Sequence, residues 1–115
     1  MAIENLRKFC LALPGTTEDI KWGADLCFSV GAKMFCVTSA DSSEGGLSLK
    51  CTPEKFAELV ERDGIIPAPY VARYHWVAVQ NPEALAESEL KGLISESYQM
   101  VFEKLPTKVR KSLAK

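Results

Sequence analysis

At 115 residues, with 47% apolar and 25% charged side chains, the chain has material for one compact domain with a single core, and two domains would each be too small. A formal net charge of −1 excludes bulk attraction to a polyanion, so a nucleic-acid site would have to be a local patch. Charge is unevenly spread: 41–63 is rich in acids (Asp41, Glu44, Glu54, Glu58, Glu61, Asp63), whereas 104–115 carries Lys104, Lys108, Arg110, Lys111 and Lys115 and no acid.

Ile3, Leu6, Cys10 and Leu13 recur at helical spacing until Pro14-Gly15 forbids continuation, which predicts a first helix over 2–13. Its charges interleave with its apolar residues, which is helix patterning rather than a signal peptide, and no segment reaches the length of a membrane span. A short first strand is expected at 17–22, ending in Trp22. Asp25 to Ser39 then reads as a β-hairpin, because two runs of aromatic and branched residues flank Gly31-Ala32, and glycine in first place suits a two-residue II′ turn. Closing it there opposes Val30 to Lys33, Phe28 to Phe35 and Cys27 to Cys36. Leu26, Phe28, Val30, Phe35 and Val37 would then share the core face, with Cys27, Ser29, Met34, Cys36 and Thr38 on the other.

The polar loop DSSEGG at 41–46 leads to a strand over 47–51, in which Leu47 and Leu49 are inward and Ser48 and Lys50 outward. Thr52 as N-cap, Pro53 as first helical residue and Gly64 as the stop frame a second helix with Phe56, Leu59 and Val60 inward. The stretch GIIPAPYVARYHWVAVQ follows, at 64–80. It holds the only histidine and no carboxylate; Pro67 and Pro69 bias it to extended geometry, excluding helix before a strand-like run at 74–80. After a connector, Leu90, Leu93, Ile94, Ser97, Tyr98, Val101, Phe102 and Leu105 mark a long helix from about Ser88, and Pro106 opens a terminal basic helix. The order implies a single α+β domain over 1–115, a two-layer sandwich with helices on one face of an antiparallel sheet of about five strands.

The runs LPGTTEDIKWG, DLCFSVGAKMFCVT, SLKCTPEKF, IIPAPYVARYHWV and SYQMVFEKLP resemble the MmcQ/YjbR group of small bacterial proteins over nearly the whole chain, PAPY-x-A-R-x-x-W-V being the most specific part. The resemblance implies a CyaY-like (frataxin-like) or secretion-chaperone-like fold and DNA binding through a double-wing arrangement of β elements. Carried onto this chain, it points to the hairpin around Gly31 and Lys33, to Lys50, and to Tyr70, Arg73 and Trp76. The other long loop carries Asp41 and Glu44 and no base, so a second wing made from it would repel phosphate.

The residues make a similar case on their own. Lys33, Lys50 and Arg73 can pair with phosphate, while Tyr70, Tyr74, Trp76 and Trp22 offer flat surfaces for bases; Lys104, Lys108, Arg110 and Lys111 can add contacts. Against this, lone surface lysines are ordinarily solvated, a basic terminal helix complements its own macrodipole, and tryptophans are more often packed than stacked on a ligand. The four cysteines form no CxxC pair, which suits buried reduced thiols and a cytoplasmic location. Cys27 opposite Cys36 invites a redox disulfide or half a metal site, but without a nearby histidine two small buried hydrophobes are the favoured reading. His75 reads as a packed ring, with Val77 and Val79 on its face. Catalytic sets, metal-ligand spacings and phosphate-binding glycine loops are absent from the sequence, so no enzyme, cofactor or metal is expected. The expected partner is DNA, weakly bound and without membrane attachment; the alternative is a protein partner or a second copy, anchored by the Pro-aromatic loop or Trp76.

Overall fold

A computed structural model describes residues 3–21, 25–39, 46–68, 72–80 and 85–113. The elements run α1 (Ile3–Leu11), β1 (Thr16–Lys21), β2 (Asp25–Val30), β3 (Lys33–Ser39), β4 (Leu47–Lys50), α2 (Pro53–Leu59), β5 (Ile65–Pro67), a 3₁₀ turn (Ala72–Tyr74), β6 (Trp76–Val79), α3 (Glu87–Glu103) and α4 (Thr107–Leu113). Six strands form one antiparallel sheet in the order β1-β2-β3-β4-β6-β5, one strand more than expected. The helices pack on one side: α1 against β1, α3 across β2, β3 and β4, and α2 against β5 and β6. That two-layer α+β arrangement is the one the alternating and 3.6-residue patterns call for.

Between the layers lies a core in which Phe28, Phe35, Leu49, Leu59, Ile65, Val77, Leu90 and Ile94 are essentially excluded from water. Each such side chain contributes about 1.5–3 kcal/mol relative to exposure. Tyr98 of α3 meets Phe35 edge to face at 5.4 Å and stacks on Phe102 at 5.8 Å, while its hydroxyl donates to the Pro14 carbonyl and so ties α3 to the α1–β1 turn. At its N-terminus α2 is capped as expected, the Thr52 hydroxyl accepting from the Lys55 amide at 3.2 Å.

The hairpin departs from its expected register. Val30 does oppose Lys33, but Phe28 pairs with Cys36 and Cys27 with Val37, because Phe35 is an extra, unpaired residue: a β-bulge. The bulge turns both Phe35 and Cys36 toward the helices, Phe35 against Tyr98 and the Cys36 thiol against that of Cys10, and sends Val37 to the opposite face with Cys27. Cys27 and Cys36 therefore lie on opposite faces and cannot bridge. All four thiols are free and buried. The cause sits on α3: the Ser97 hydroxyl donates to the Phe35 carbonyl at 2.6 Å and accepts from the Lys50 amide at 3.1 Å, taking the place of ladder bonds where β3 and β4 part.

The turn itself has positive φ at both central residues, 58° at Gly31 and 66° at Ala32, which is the I′ pattern, whereas II′ has it only at the first. The stretch 64–80 also differs from its linear reading. α2 stops at Leu59, and Gly64 (φ 89°) instead turns the chain into β5. Ala72–Tyr74 is a helical turn, and the strand begins only at Trp76. His75, read as a strand residue, has φ 67° and turns the chain into β6.

Candidate functional site

Antiparallel register decides which residues share an end of the sheet. Val30 and Lys33 flank the hairpin turn, Thr16 lies beside Val30, and the last residue of β4, Lys50, pairs with the first of β6, Trp76. The hairpin turn, the β4 terminus and the 3₁₀ turn that carries Arg73 therefore occupy one end, called here the hairpin end. α3 finishes there too, since Leu105 packs on Gly31 so closely that a Cβ on that glycine would stand 2.6 Å from Leu105 Cδ1. α4 follows along the same end, with Leu113 against Gly15.

Besides Arg110 and Lys111 of α4, and Lys55 of α2, which pairs with Glu58 at 3.6 Å, this end carries the cations Lys33, Lys50, Arg73, Lys104 and Lys108. Lys33, Arg73, Lys104 and Lys108 are exposed, and Lys50 is half-buried. Among the described residues none of them has a carboxylate within ion-pair distance. Burial holds the Lys50 ammonium below its ordinary value, and the nearby charge of Lys104 lowers it further. The acids nearby include Glu54, Glu96 and Glu103, none of them within ion-pair distance of these cations; Glu103 instead accepts from Gln99 at 3.1 Å. At the far end Arg62 and Lys91 are paired, whereas Lys21, at the end of β1, has no ion pair among the described residues. Arg62 grips Glu89 with two bonds of 3.0 and 2.8 Å, holding that carboxyl below the usual range, and Lys91 lies 3.9 Å from Glu87.

Aromatic residues at the hairpin end are placed otherwise than the sequence suggests. Trp76 shares the helix-free face with Lys50 but is only 9% exposed, so its ring packs instead of presenting a stacking surface. Tyr74 is the exposed ring, at 49%, with the Arg73 guanidinium 4.9 Å from its centroid. Both sit on the 3₁₀ turn that His75 anchors: the His75 carbonyl accepts from the Cys51 amide at 2.8 Å, and its ring meets Phe56 edge to face at 5.7 Å. Arg110 is half-buried. Its Nη2 donates to the Thr107 hydroxyl at 3.1 Å, and its Nε is buried without a partner, as is the Thr16 hydroxyl. Trp22 and Tyr70 lie outside the described residues, as do Asp41 and Glu44 of the acidic loop.

Of the residues expected to form a site, the fold thus brings Lys33, Lys50, Arg73 and Lys108 to one end, buries the Trp76 ring there and holds Arg110 to Thr107. It adds the proximity of Lys50 to Lys104, which linear spacing does not reveal. It also gives Ser97 a role whose only sequence signal was a lone hydroxyl in the apolar series of α3.

An open antiparallel sheet, backed by helices on one face and ending in a cationic rim, defines a class of small two-layer α+β domain. The YjbR family profile matches residues 11–100, and the chain belongs to the YjbR family. It is 29% identical over 117 residues to the uncharacterized protein YjbR of Escherichia coli K12, covering 98% of each chain, and 26% identical over 112 residues to the uncharacterized protein YbdF of Escherichia coli O157:H7, covering 94% of this chain and 90% of that one. Its fold is similar to the crystal structure of Deinococcus radiodurans protein DR2400, a DUF419 domain, with a TM-score of 0.89 and 29% identity over 98% of this chain and 88% of that one. A Pseudomonas syringae protein shares the fold at a TM-score of 0.70 and 22% identity, covering 88% of this chain and 99% of that one.

Proposed function

We propose that this protein acts by binding rather than by catalysis, and that it takes a polyanion, DNA in the first instance, weakly at the hairpin end. One observation carries the reading: Lys33, Lys50, Arg73 and Lys104 gather at one end with no acid within ion-pair distance among the described residues, while Arg62 and Lys91 at the far end are paired. A phosphate chain laid across these cations would relieve the repulsion between Lys50 and Lys104 and release counterions. The mode differs from a double wing. The hairpin tip is seated against Leu105 and is no free-standing wing. Ser39 and Gly46, the described residues on either side of the acidic loop, lie at the far end of the sheet from these cations. The alternative of a protein interface loses its Trp76 anchor to burial.

Fluorescence anisotropy with labelled duplex and single-stranded oligonucleotides tests the proposal. Binding is expected to weaken with added salt, and the double variant Lys50→Gln/Lys104→Gln should flatten the log–log slope by about 0.7–0.9 for each phosphate it no longer neutralises. Salt-independent binding, or none at low ionic strength, would remove the proposal.

A further inference from the structure

We infer that the hairpin end selects unpaired nucleotides over duplex, with the Arg73–Tyr74 pair as the platform on which a base stacks. The inference rests on the cationic reading above and adds to it the chemical class of ligand. Tyr74 is among the few large apolar side chains left exposed, at 49%, and the Arg73 guanidinium lies over its ring at 4.9 Å. Together they make a flat, positively charged surface. Nucleobases stack on aromatic faces and on guanidinium planes, and in a single strand those base faces are free, whereas in a duplex they are already stacked on one another.

Two further observations favour unpaired strands. Reading a duplex groove requires a protruding helix or two-stranded ribbon. Here the one ribbon tip described at this end is packed under Leu105, and α3 arrives by its carboxyl terminus, the negative end of its dipole. The platform is also held in advance. His75 keeps φ at 67°, a conformation that costs a side-chain-bearing residue free energy and that here redirects the chain between the exposed pair and β6. The amide of Cys51 and the ring of Phe56 fix it in place. Lys50 and Lys104 then stand at the same end for the phosphates on either side of the stacked base.

Anisotropy on the full chain decides the matter with a short oligothymidylate, an abasic oligomer of the same length and a hairpin duplex of matched charge. The oligothymidylate should bind about tenfold more tightly than the abasic oligomer, and more tightly than the duplex. Tyr74→Ala should lose that tenfold while leaving the abasic affinity and the salt slope unchanged, and Tyr74→Phe should retain it. Because Tyr74 is at the surface, the thermal midpoint of each variant should match the parent, which separates loss of stacking from loss of fold. Equal affinity for the abasic and base-bearing strands, a preference for duplex, or a silent Tyr74→Ala would overturn the platform and leave the cationic reading standing. No binding to any of the three at low salt would overturn both.

Discussion

At the hairpin turn two adjacent residues with similar backbone conformations should respond to substitution in opposite directions. Gly31 needs its positive φ and has Leu105 pressed against the place a Cβ would fill, so Gly31→Ala should cost about 2 kcal/mol. Ala32 is exposed and carries a Cβ at φ 66°, so Ala32→Gly should relieve strain and stabilise by about 0.5–1 kcal/mol, after the loss to the more flexible unfolded chain. Urea titrations of the two variants check both signs. The glycine was legible in the sequence as a turn marker. The requirement for positive φ at the next position was not, because alanine gives no hint of a left-handed conformation and the turn type follows from the twist of the paired strands.

Elements were legible in proportion to how local their causes are. The N-cap of α2 could be read from Thr52-Pro53 because the bond it makes spans three residues, and Thr52→Ala should cost about 1 kcal/mol in equilibrium unfolding. The β3 bulge could not be read that way. It depends on the Ser97 hydroxyl, 62 positions from the Phe35 carbonyl it serves, and no hairpin pattern contains that information. Strand alternation assumed an unbroken ladder and so assigned Cys36, Val37 and Thr38 to the wrong faces. We predict that Ser97→Ala, by stranding the Phe35 carbonyl and the Lys50 amide, destabilises by about 1–3 kcal/mol. Hydrogen exchange should show the Lys50 amide losing protection beyond what that global change explains. The 3₁₀ turn at Ala72–Tyr74 was hidden for a related reason: the prolines restrain only their own neighbourhood, and His75 supplies the sharp turn that separates the exposed pair from the strand.

On the scale of the whole molecule, the even balance of charge conceals a polar arrangement. Composition gives the total, but only antiparallel register shows that Lys33, Lys50 and Arg73 share one end while Arg62–Glu89 and Lys91–Glu87 pair at the other. Protonation equilibria have their own global signature. Burial, with Glu96 adding to it, pushes the Cys51 thiol up to about 12; the Cys10 hydrogen bond and burial raise Cys36, and burial raises Cys27 and Tyr98. A raised folded value means that the native state keeps a proton the unfolded chain gives up. The stability these groups contribute is whole below about pH 9 and is lost as pH climbs toward the folded values. The thermal midpoint should therefore fall between about pH 9 and 12, and Cys51→Ala should fall less steeply over that range.

The same four sulfurs make the protein its own stopwatch. With each thiol enclosed and none joined to another, an alkylating reagent can mark the chain only when the fold opens around a thiol, so mass spectrometry of partly labelled samples would time that opening without any added dye. Cys10 and Cys36 face each other across the seam between α1 and the sheet, whereas Cys27 lies beneath the bare face. Unequal labelling of the two sites would tell a helix lifting away from a sheet fraying at its strands.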